Sequence, residues 1–156
     1  MVLTLCHSMD YLRWLFGRVD WLSAFTGQIS DLEIEVEDTA EISMRFANGV
    51  IGSVHLDYCQ RPPVHWLEIV GTEGTMRWDN ADGGLEVFNA AGNEWKKYPV
   101  PEGFERNDLF LAEMRHFIEI IRGEAEPLCT LEDGVCIMEM IQAVHNSSDQ
   151  HRQIQF

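Results

Sequence analysis

The sequence predicts an α+β protein built on a largely antiparallel or mixed β-sheet, with helices packed on one face and the other face left open. Three observations predict this class: a helical apolar pattern near the start, consecutive strand patterns with hairpin signals in the middle, and two helical patterns at the end. This order differs from the regular β-α-β alternation of a doubly wound fold. At 156 residues the chain has the length of one ordinary domain, so we expect residues 1–156 to form a single domain.

The first element is a helix over residues 7–16, because its apolar side chains recur at helical spacing and Gly17 is placed to end it. A strand is predicted over residues 19–27, and a polar, acidic segment follows at residues 30–38. The side chains that form the apolar face of the helix are Tyr11, Leu12, Leu15 and Phe16.

The centre of the chain predicts a β-hairpin, since apolar residues occupy alternate positions along residues 39–46 and 50–59. Its connection contains Asn-Gly, which is typical of a tight two-residue turn, but that register would mix the apolar and polar faces. A three-residue loop with Gly49 in the left-handed conformation instead pairs Ile42 with Val54. We predict this second register.

One face of the hairpin is therefore apolar and the other is polar and charged. The polar face can be solvated, form a subunit interface or line a cleft. In the predicted register Glu41 lies opposite His55, a pair that can be a metal site, an acid–base pair or, most simply, a cross-strand hydrogen bond. The side chains of this polar face are Glu41, Ser43, Arg45, Ser53, His55 and Asp57.

Four further strands and two helices complete the pattern. Residues 108–122 predict a helix with one apolar face that stops at Gly123. Thr130 and Asp133 have the spacing of a capping box at the start of the last helix, and residues 154–156 can add an edge strand. The four strands are predicted over residues 64–70, 74–78, 84–89 and 94–99.

Charge and composition exclude several classes of partner. The formal net charge is −15 with only 11 basic residues, so we expect neither nucleic acid nor an anionic membrane as a partner. No apolar run approaches the ~18 residues that cross a bilayer, and we expect a cytoplasmic location.

Lys96 and Lys97 are interpreted as a solvated strand end. No C-x-x-C pair occurs among Cys6, Cys59, Cys129 and Cys136, so we expect no metal site. A cytosolic setting keeps thiols reduced, so we expect no disulfide.

Few residues are candidates for chemistry. Gly71 and Gly74 join two predicted strands rather than opening a helix, so we expect no cofactor-binding residues. His7 starts the first helix three residues before Asp10, and histidine titrates near neutral pH, which suits proton transfer; a structural role is the alternative. Arg61 could bind a substrate carboxylate or phosphate, or could simply be solvated.

The segment VLTLCHSMDYLRWLFG resembles the opening of the C-terminal domain in the Gfo/Idh/MocA family of nicotinamide-dependent oxidoreductases. VEDTAEISMRFANGVIGSVHLDY is similar to the central hairpin of that domain, and LEIVGTEGTMRWD is similar to its Gly-Thr-x-Gly turn. FLAEMRHFIEIIRG and AVHNSSDQHRQIQF are similar to its last two helices and tail. The resemblance covers nearly the whole chain in order. It implies the fold seen in the C-terminal domains of dihydrodipicolinate reductase and glyceraldehyde-phosphate dehydrogenase.

The resemblance implies a two-domain enzyme that moves a hydride between NAD or NADP and a carbon bearing a hydroxyl, often on a sugar or polyol. His7 matches the family histidine that handles the hydroxyl proton. The partner acid falls on Leu3, which cannot transfer a proton. The catalytic lysine of the family lies in the N-terminal Rossmann domain, which is absent here. We therefore expect the chain alone to bind no cofactor and to be inactive.

The same resemblance implies a homo-oligomer through the open sheet face, a Rossmann domain in cis or in trans, and a small polyhydroxylated substrate. A stand-alone binding or assembly module without catalysis is the alternative. Leu3 favours this alternative, whereas His7 and Asp10 argue against it. A Rossmann-like stretch with a Glu-Lys-Pro motif, encoded upstream or on a neighbouring gene, would indicate the enzyme.

Overall fold

The computed structural model describes residues 1–156 and confirms the α+β class. Its residues group into two compact units, which we call the helix-packed unit (Met1–Cys59 with Leu128–Phe156) and the hairpin unit (Gln60–Pro127). No helix is both long enough and apolar enough to cross a membrane. In chain order the elements are α1 His7–Phe16, β1 Val19–Gly27, β2 Thr39–Phe46, β3 Ile51–Asp57, β4 Trp66–Gly71, β5 Gly74–Asp79, β6 Leu85–Asn89, β7 Glu94–Tyr98, α2 Asn107–Ile121, α3 Leu131–Gln150 and β8 Ile154–Gln155.

The helix-packed unit contains one antiparallel sheet in the order β3-β2-β1-β8, with α3 packed against β1. The predicted hairpin register is confirmed: Ile42 pairs with Val54. Gly49 has φ of +91°, the left-handed region that glycine adopts without a Cβ clash. Its N–H donates to the carbonyl of Phe46 at 2.8 Å and closes the predicted three-residue loop.

The core of this unit lies on the apolar face of the sheet. Alternate residues of β2 point to one side, so its apolar positions are buried together while the intervening positions are exposed. Leu22 of β1, Met9 of α1 and Val144 of α3 are fully buried as well. The buried positions of β2 are Ala40, Ile42, Met44 and Phe46.

The polar segment before β2 is held by one buried carboxylate. Asp38 accepts hydrogen bonds from the N–H groups of Ile29 and Ser30, both at 2.9 Å, and from the Ser30 hydroxyl at 2.6 Å. The hydroxyl of Thr39 donates a fourth at 3.1 Å. These bonds, led by that of the Ser30 hydroxyl, lower the pKa of Asp38 to about 2. The carboxylate therefore serves this loop as a structural anchor.

The start of α3 is capped as predicted and is tied to α1. The Thr130 hydroxyl accepts from the N–H of Asp133 at 3.2 Å, and the Asp133 carboxylate accepts from the N–H of Thr130 at 2.9 Å, which completes the capping box. The same carboxylate accepts a 2.7 Å hydrogen bond from Arg13 Nη1. Asp133 thus joins the last turn of α1 to the first turn of α3.

The hairpin unit holds a second antiparallel sheet in the order β4-β5-β6-β7, in which each strand pairs with its neighbours in sequence. The strand patterns predicted these four strands, but they did not show that the strands form a sheet of their own. No side chain of the hairpin unit is fully buried. Helix α2 belongs to the same unit, and the apolar face predicted for it is exposed.

Candidate functional site

His7 is the first residue of α1, and its side chain is exposed. On the opposite side of the helix, Met9 and Leu12 are buried, and this packing turns His7 outward. Asp10, one turn further along, is half-buried. The imidazole is therefore accessible at the surface of this unit.

Two large apolar side chains near His7 in the sequence are exposed. Trp14 follows two helical turns later on the same face and is 78% exposed. Leu3 precedes the helix and is 57% exposed. The resemblance places the partner acid at Leu3, whose isobutyl group can neither orient the His7 imidazole nor exchange a proton with it.

Arg61 lies in the hairpin unit, whereas His7 lies in the helix-packed unit. The side chain of Arg61 is exposed, and its Nη1 donates to the carbonyl of Gln60 at 2.9 Å. This contact with a neighbouring backbone group is compatible with either interpretation made from the sequence. The substrate-binding role of Arg61 stays a prediction.

The predicted contact between Glu41 and His55 is present on the open face of the first sheet. His55 Nδ1 lies 2.6 Å from Glu41 Oε1, and His55 Nε2 lies 3.1 Å from Asp57 Oδ2. A ring with a carboxylate at each nitrogen is favoured in its doubly protonated, cationic form. The hydrogen bond with Glu41, followed by the contributions of Asp57, raises the pKa of His55 above 6.5. The expected cross-strand hydrogen bond between Glu41 and His55 is present.

The rest of the open face combines apolar and hydroxyl side chains. Phe25 of β1 is 72% exposed and Ile51 of β3 is 74% exposed. Ser23, Ser43 and Ser53 lie in register across β1, β2 and β3. Phe25 and Ile51 are thus large apolar side chains exposed on a sheet face that is otherwise mostly polar and charged.

Sequence reasoning missed a groove of about 550 Å³ in the hairpin unit. Its walls include the aromatic rings of Trp66, Trp78 and Tyr98 and the carboxylates of Asp79 and Asp82. Neither His7 nor Arg61 lines this groove.

No three His, Cys, Asp or Glu side chains are grouped so that they could hold a metal ion. The glycine-containing turn at Gly71–Gly74 joins β4 to β5, and no helix begins there. A Cβ on Gly74 would lie 1.9 Å from the carbonyl oxygen of Phe88, so this glycine serves the contact between strands. The turn does not fit a pyrophosphate, which binds where a glycine-rich turn opens a helix.

Comparison with known proteins assigns the chain to a family. Residues 1–156 match the model of the Gfo/Idh/MocA family that is described as "Oxidoreductase family, C-terminal alpha/beta domain". D-apiose dehydrogenase from Paraburkholderia graminis is 28% identical over 164 residues, which cover 96% of this chain and 42% of that enzyme. The chain spans less than half the length of the curated relatives it matches.

Solved structures share the fold. Levoglucosan dehydrogenase in complex with NADH and levoglucosan is 20% identical, with a TM-score of 0.85 over 97% of this chain and 48% of that chain. An oxidoreductase from Agrobacterium radiobacter in complex with NAD+, L-tartaric acid and magnesium is 22% identical, with a TM-score of 0.80 over 96% of this chain and 47% of that chain. The chain belongs to the Gfo/Idh/MocA oxidoreductase family, as its C-terminal alpha/beta domain.

Proposed function

We propose that this chain is the substrate-side and oligomerisation domain of an NAD(P)-dependent oxidoreductase that acts on a sugar, polyol or related hydroxy compound. The observation that carries the proposal is the exposed His7 at the first turn of α1, in a chain that belongs to an oxidoreductase family throughout its length. The curated relative named D-apiose dehydrogenase and the structure of levoglucosan dehydrogenase with its sugar support this substrate class. We place the protein in the cytoplasm.

In this proposal His7 acts on the substrate hydroxyl. When the hydroxyl carbon is oxidised, the hydroxyl proton passes to an imidazole nitrogen of His7, and in the reverse direction the imidazolium returns it. A nicotinamide held by the other half of the enzyme supplies the hydride chemistry. Because Leu3 replaces the acid, the proton leaves His7 directly to solvent, which the exposed position of its side chain allows. Arg61 is proposed to bind an anionic or hydroxyl group of the substrate.

Replacement of His7 in the full-length enzyme tests this role. His7→Ala should lower kcat by about 100- to 10,000-fold, the range that general acid–base catalysis contributes. Steady-state kinetics with NAD(P)+ and a panel of sugars and polyols measure the effect. Ser8→Ala, at the next position of the same helix, is the matched control and should retain most activity. Full activity of His7→Ala would exclude the proposed role.

The chain alone is proposed to be inactive and to bind no NAD(P). The hairpin position of Gly71–Gly74 supports this expectation, because no helix N-terminus is presented to a pyrophosphate. Isothermal titration calorimetry of the purified chain with NADH and NADPH should give no heat of binding at micromolar concentrations. A micromolar dissociation constant for either nucleotide would contradict the proposal.

Oligomerisation is proposed to use the open face of the first sheet. Its exposed Phe25 and Ile51 support this, since large apolar residues on a sheet face gain by being covered. Light scattering at millimolar concentration should give a dimer, and Phe25→Glu should shift it to monomer. Trp14→Glu, which adds the same charge on α1, is the control and should leave the dimer intact. A strict monomer at that concentration would contradict this part of the proposal.

A non-catalytic binding or assembly module is the second candidate function. The specific observation in its favour is Leu3, which leaves His7 without the family's acid. Sequencing of the coding region on both sides discriminates the two candidates. A Rossmann-type stretch with a Glu-Lys-Pro motif indicates the enzyme, whereas its absence from the region indicates the module.

A further inference from the structure

The groove in the hairpin unit is lined by a row of charged side chains that crosses the second sheet. One residue from each strand contributes, and each is the Cα partner of the next in the strand register. Side chains in register lie on the same face of a sheet, and neighbouring strands are ~4.8 Å apart, so the row is about 14 Å long. We call these residues the charged row: Glu68, Arg77, Glu86 and Lys97.

The charges of this row are paired within the chain. Arg77 Nε donates to Glu68 Oε2 at 2.5 Å, and Lys97 Nζ lies 2.5 Å from Glu86 Oε1. The guanidinium of Arg77 also lies 4.9 Å from the centre of the Trp95 ring. The charged row is therefore neutral as a whole, and it presents acceptors and donors in alternation. Because these contacts already hold the side chains in place, a ligand would meet a largely ordered surface, which lowers the cost of binding.

One end of the groove combines an aromatic ring with two carboxylates. Trp66 lies on the same face of β4 as the charged row and is 61% exposed. Its Cα partner in β5 is Asp79, whose Oδ1 accepts a hydrogen bond from the N–H of Ala81 at 2.8 Å. Asp82 Oδ1 accepts in the same way from the N–H of Gly84 at 2.8 Å. These turn contacts fix the two carboxylates through one oxygen each, so the other oxygen can accept from a ligand.

The lining discriminates between classes of small molecule. An anion would meet an excess of carboxylates, and an organic cation held by Trp66 and Asp79 would lie beside the positive charges of Arg77 and Lys97. A neutral ligand with many hydroxyls avoids both repulsions, because each hydroxyl can donate to a carboxylate and accept from a cation. The C–H face of a sugar ring can also stack on the indole of Trp66. The groove volume of about 550 Å³ lies within the range of small-molecule sites, about 300–1,000 Å³.

We propose that this groove is a binding site for a neutral saccharide, which stacks on Trp66 and forms hydrogen bonds with the charged row and with Asp79. The inference goes beyond the proposed function, because it concerns none of the residues proposed to act on the substrate hydroxyl. It also holds if the chain is a non-catalytic module. Hydrogen bonds exposed to water contribute little net free energy, so we expect a dissociation constant in the millimolar range.

Titration of the 156-residue chain followed by two-dimensional proton–nitrogen NMR tests the site. The saccharide probes are maltose and cellobiose. Sorbitol serves as a polyol without a ring, choline as an organic cation and inorganic phosphate as an anion. At least one disaccharide should shift the indole N–H of Trp66 and the backbone N–H groups of the charged row, with saturation in the millimolar range. Sorbitol should bind more weakly, because it has no ring to stack, and choline and phosphate should leave these resonances unchanged.

Matched pairs of variants separate the groove from the rest of the surface. Trp66→Ala should weaken disaccharide binding by at least about tenfold, whereas Trp14→Ala removes an exposed indole from the other unit and should change it by less than about twofold. Lys97→Met should weaken binding by about threefold to tenfold. Lys96→Met, at the next position and on the opposite face of β7, should have no such effect. Trp66→Phe keeps an aromatic ring and should retain most of the affinity.

The remaining outcomes overturn the inference. An unchanged spectrum with both disaccharides at tens of millimolar would show that the groove binds no such saccharide. Shifts that persist equally in Trp66→Ala, whose fold the dispersion of the same spectrum verifies, would place the binding elsewhere on the chain. Tighter binding of choline than of either disaccharide would identify an organic cation as the occupant and refute the saccharide. None of these results bears on His7, whose role is decided by the kinetics of His7→Ala.

Discussion

The hydroxyl of Ser147 in α3 accepts a hydrogen bond from the N–H of Ala24 in β1 at 2.9 Å. The same hydroxyl donates to the carbonyl of Arg152 at 2.6 Å, and Ser147 is only 1% exposed. One buried side chain therefore connects α3, β1 and the turn that leads into β8. Nothing in the helical periodicity of the sequence distinguishes this serine from Ser148, its neighbour.

Ser147→Ala should lower the free energy of unfolding by about 1–3 kcal/mol, because the Arg152 carbonyl loses its buried donor and the Ala24 N–H its acceptor. Urea unfolding followed by circular dichroism measures the change. Ser53→Ala, on the exposed face of β3, is the control and should change stability by less than about 0.5 kcal/mol. Equal effects of the two substitutions would contradict the structural role of Ser147.

Ile42 and Ile51 test the assignment of the two faces of the first sheet. Ile42 is 1% exposed, whereas Ile51 is 74% exposed. Ile42→Ala should destabilise the chain by about 2–5 kcal/mol, since it removes buried methyl groups and leaves a cavity. Ile51→Ala should cost less than about 0.5 kcal/mol in the monomer. Comparable losses in chemical denaturation, measured at concentrations where the chain is monomeric, would disprove the predicted register.

Protonation of His55 links stability to pH. The hydrogen bond with Glu41, assisted by Asp57, raises the pKa of His55 in the folded state above its ordinary 6.5. The folded state therefore favours the imidazolium. This stabilisation is fully present below pH 6.5 and is lost as the pH rises through the raised pKa of the folded state.

Glu41→Gln should lower the pKa of His55, because the 2.6 Å hydrogen bond loses its charged acceptor. NMR titration of the ring resonances measures the pKa, and unfolding at pH 6 and pH 8.5 measures the stability. The difference in stability between these two pH values should shrink in the variant. Glu73→Gln, in the β4–β5 turn, is the control and should leave the titration of His55 unchanged. A titration unaffected by Glu41→Gln would contradict the proposed cause.

Gly74 has no room for a side chain. A Cβ at this position would lie 1.9 Å from the carbonyl oxygen of Phe88 in the adjacent strand, so Gly74→Ala must push β5 and β6 apart. We expect a loss of at least about 1–3 kcal/mol, the usual cost of overpacking. Gly134→Ala in α3 meets no atom within 4 Å and should instead stabilise the helix by about 0.5–1 kcal/mol. Thermal unfolding of both variants measures the contrast, and a neutral Gly74→Ala would contradict the close approach.

Local sequence was sufficient for several elements. The alternation of apolar and polar residues determined the hairpin of β2 and β3, because only one register buries all the apolar side chains together. Helix α1 and the capping box of Thr130 and Asp133 were also predicted, since their signals lie within one or two turns of chain. His7 could be singled out as a candidate only by its position in a helix and by resemblance to the family.

By itself the sequence determined the α+β class, the element boundaries within a few residues and the faces of the first sheet, because these depend on periodicity between near neighbours. Features that depend on contacts between residues distant in sequence were established only by the tertiary structure. It divided the strands into two sheets, placed Ser147 against Ala24 across 123 residues, and left the apolar side of α2 in solvent. The periodicity of a sequence shows which side of a helix is apolar. Whether that side is buried depends on which other elements pack against it.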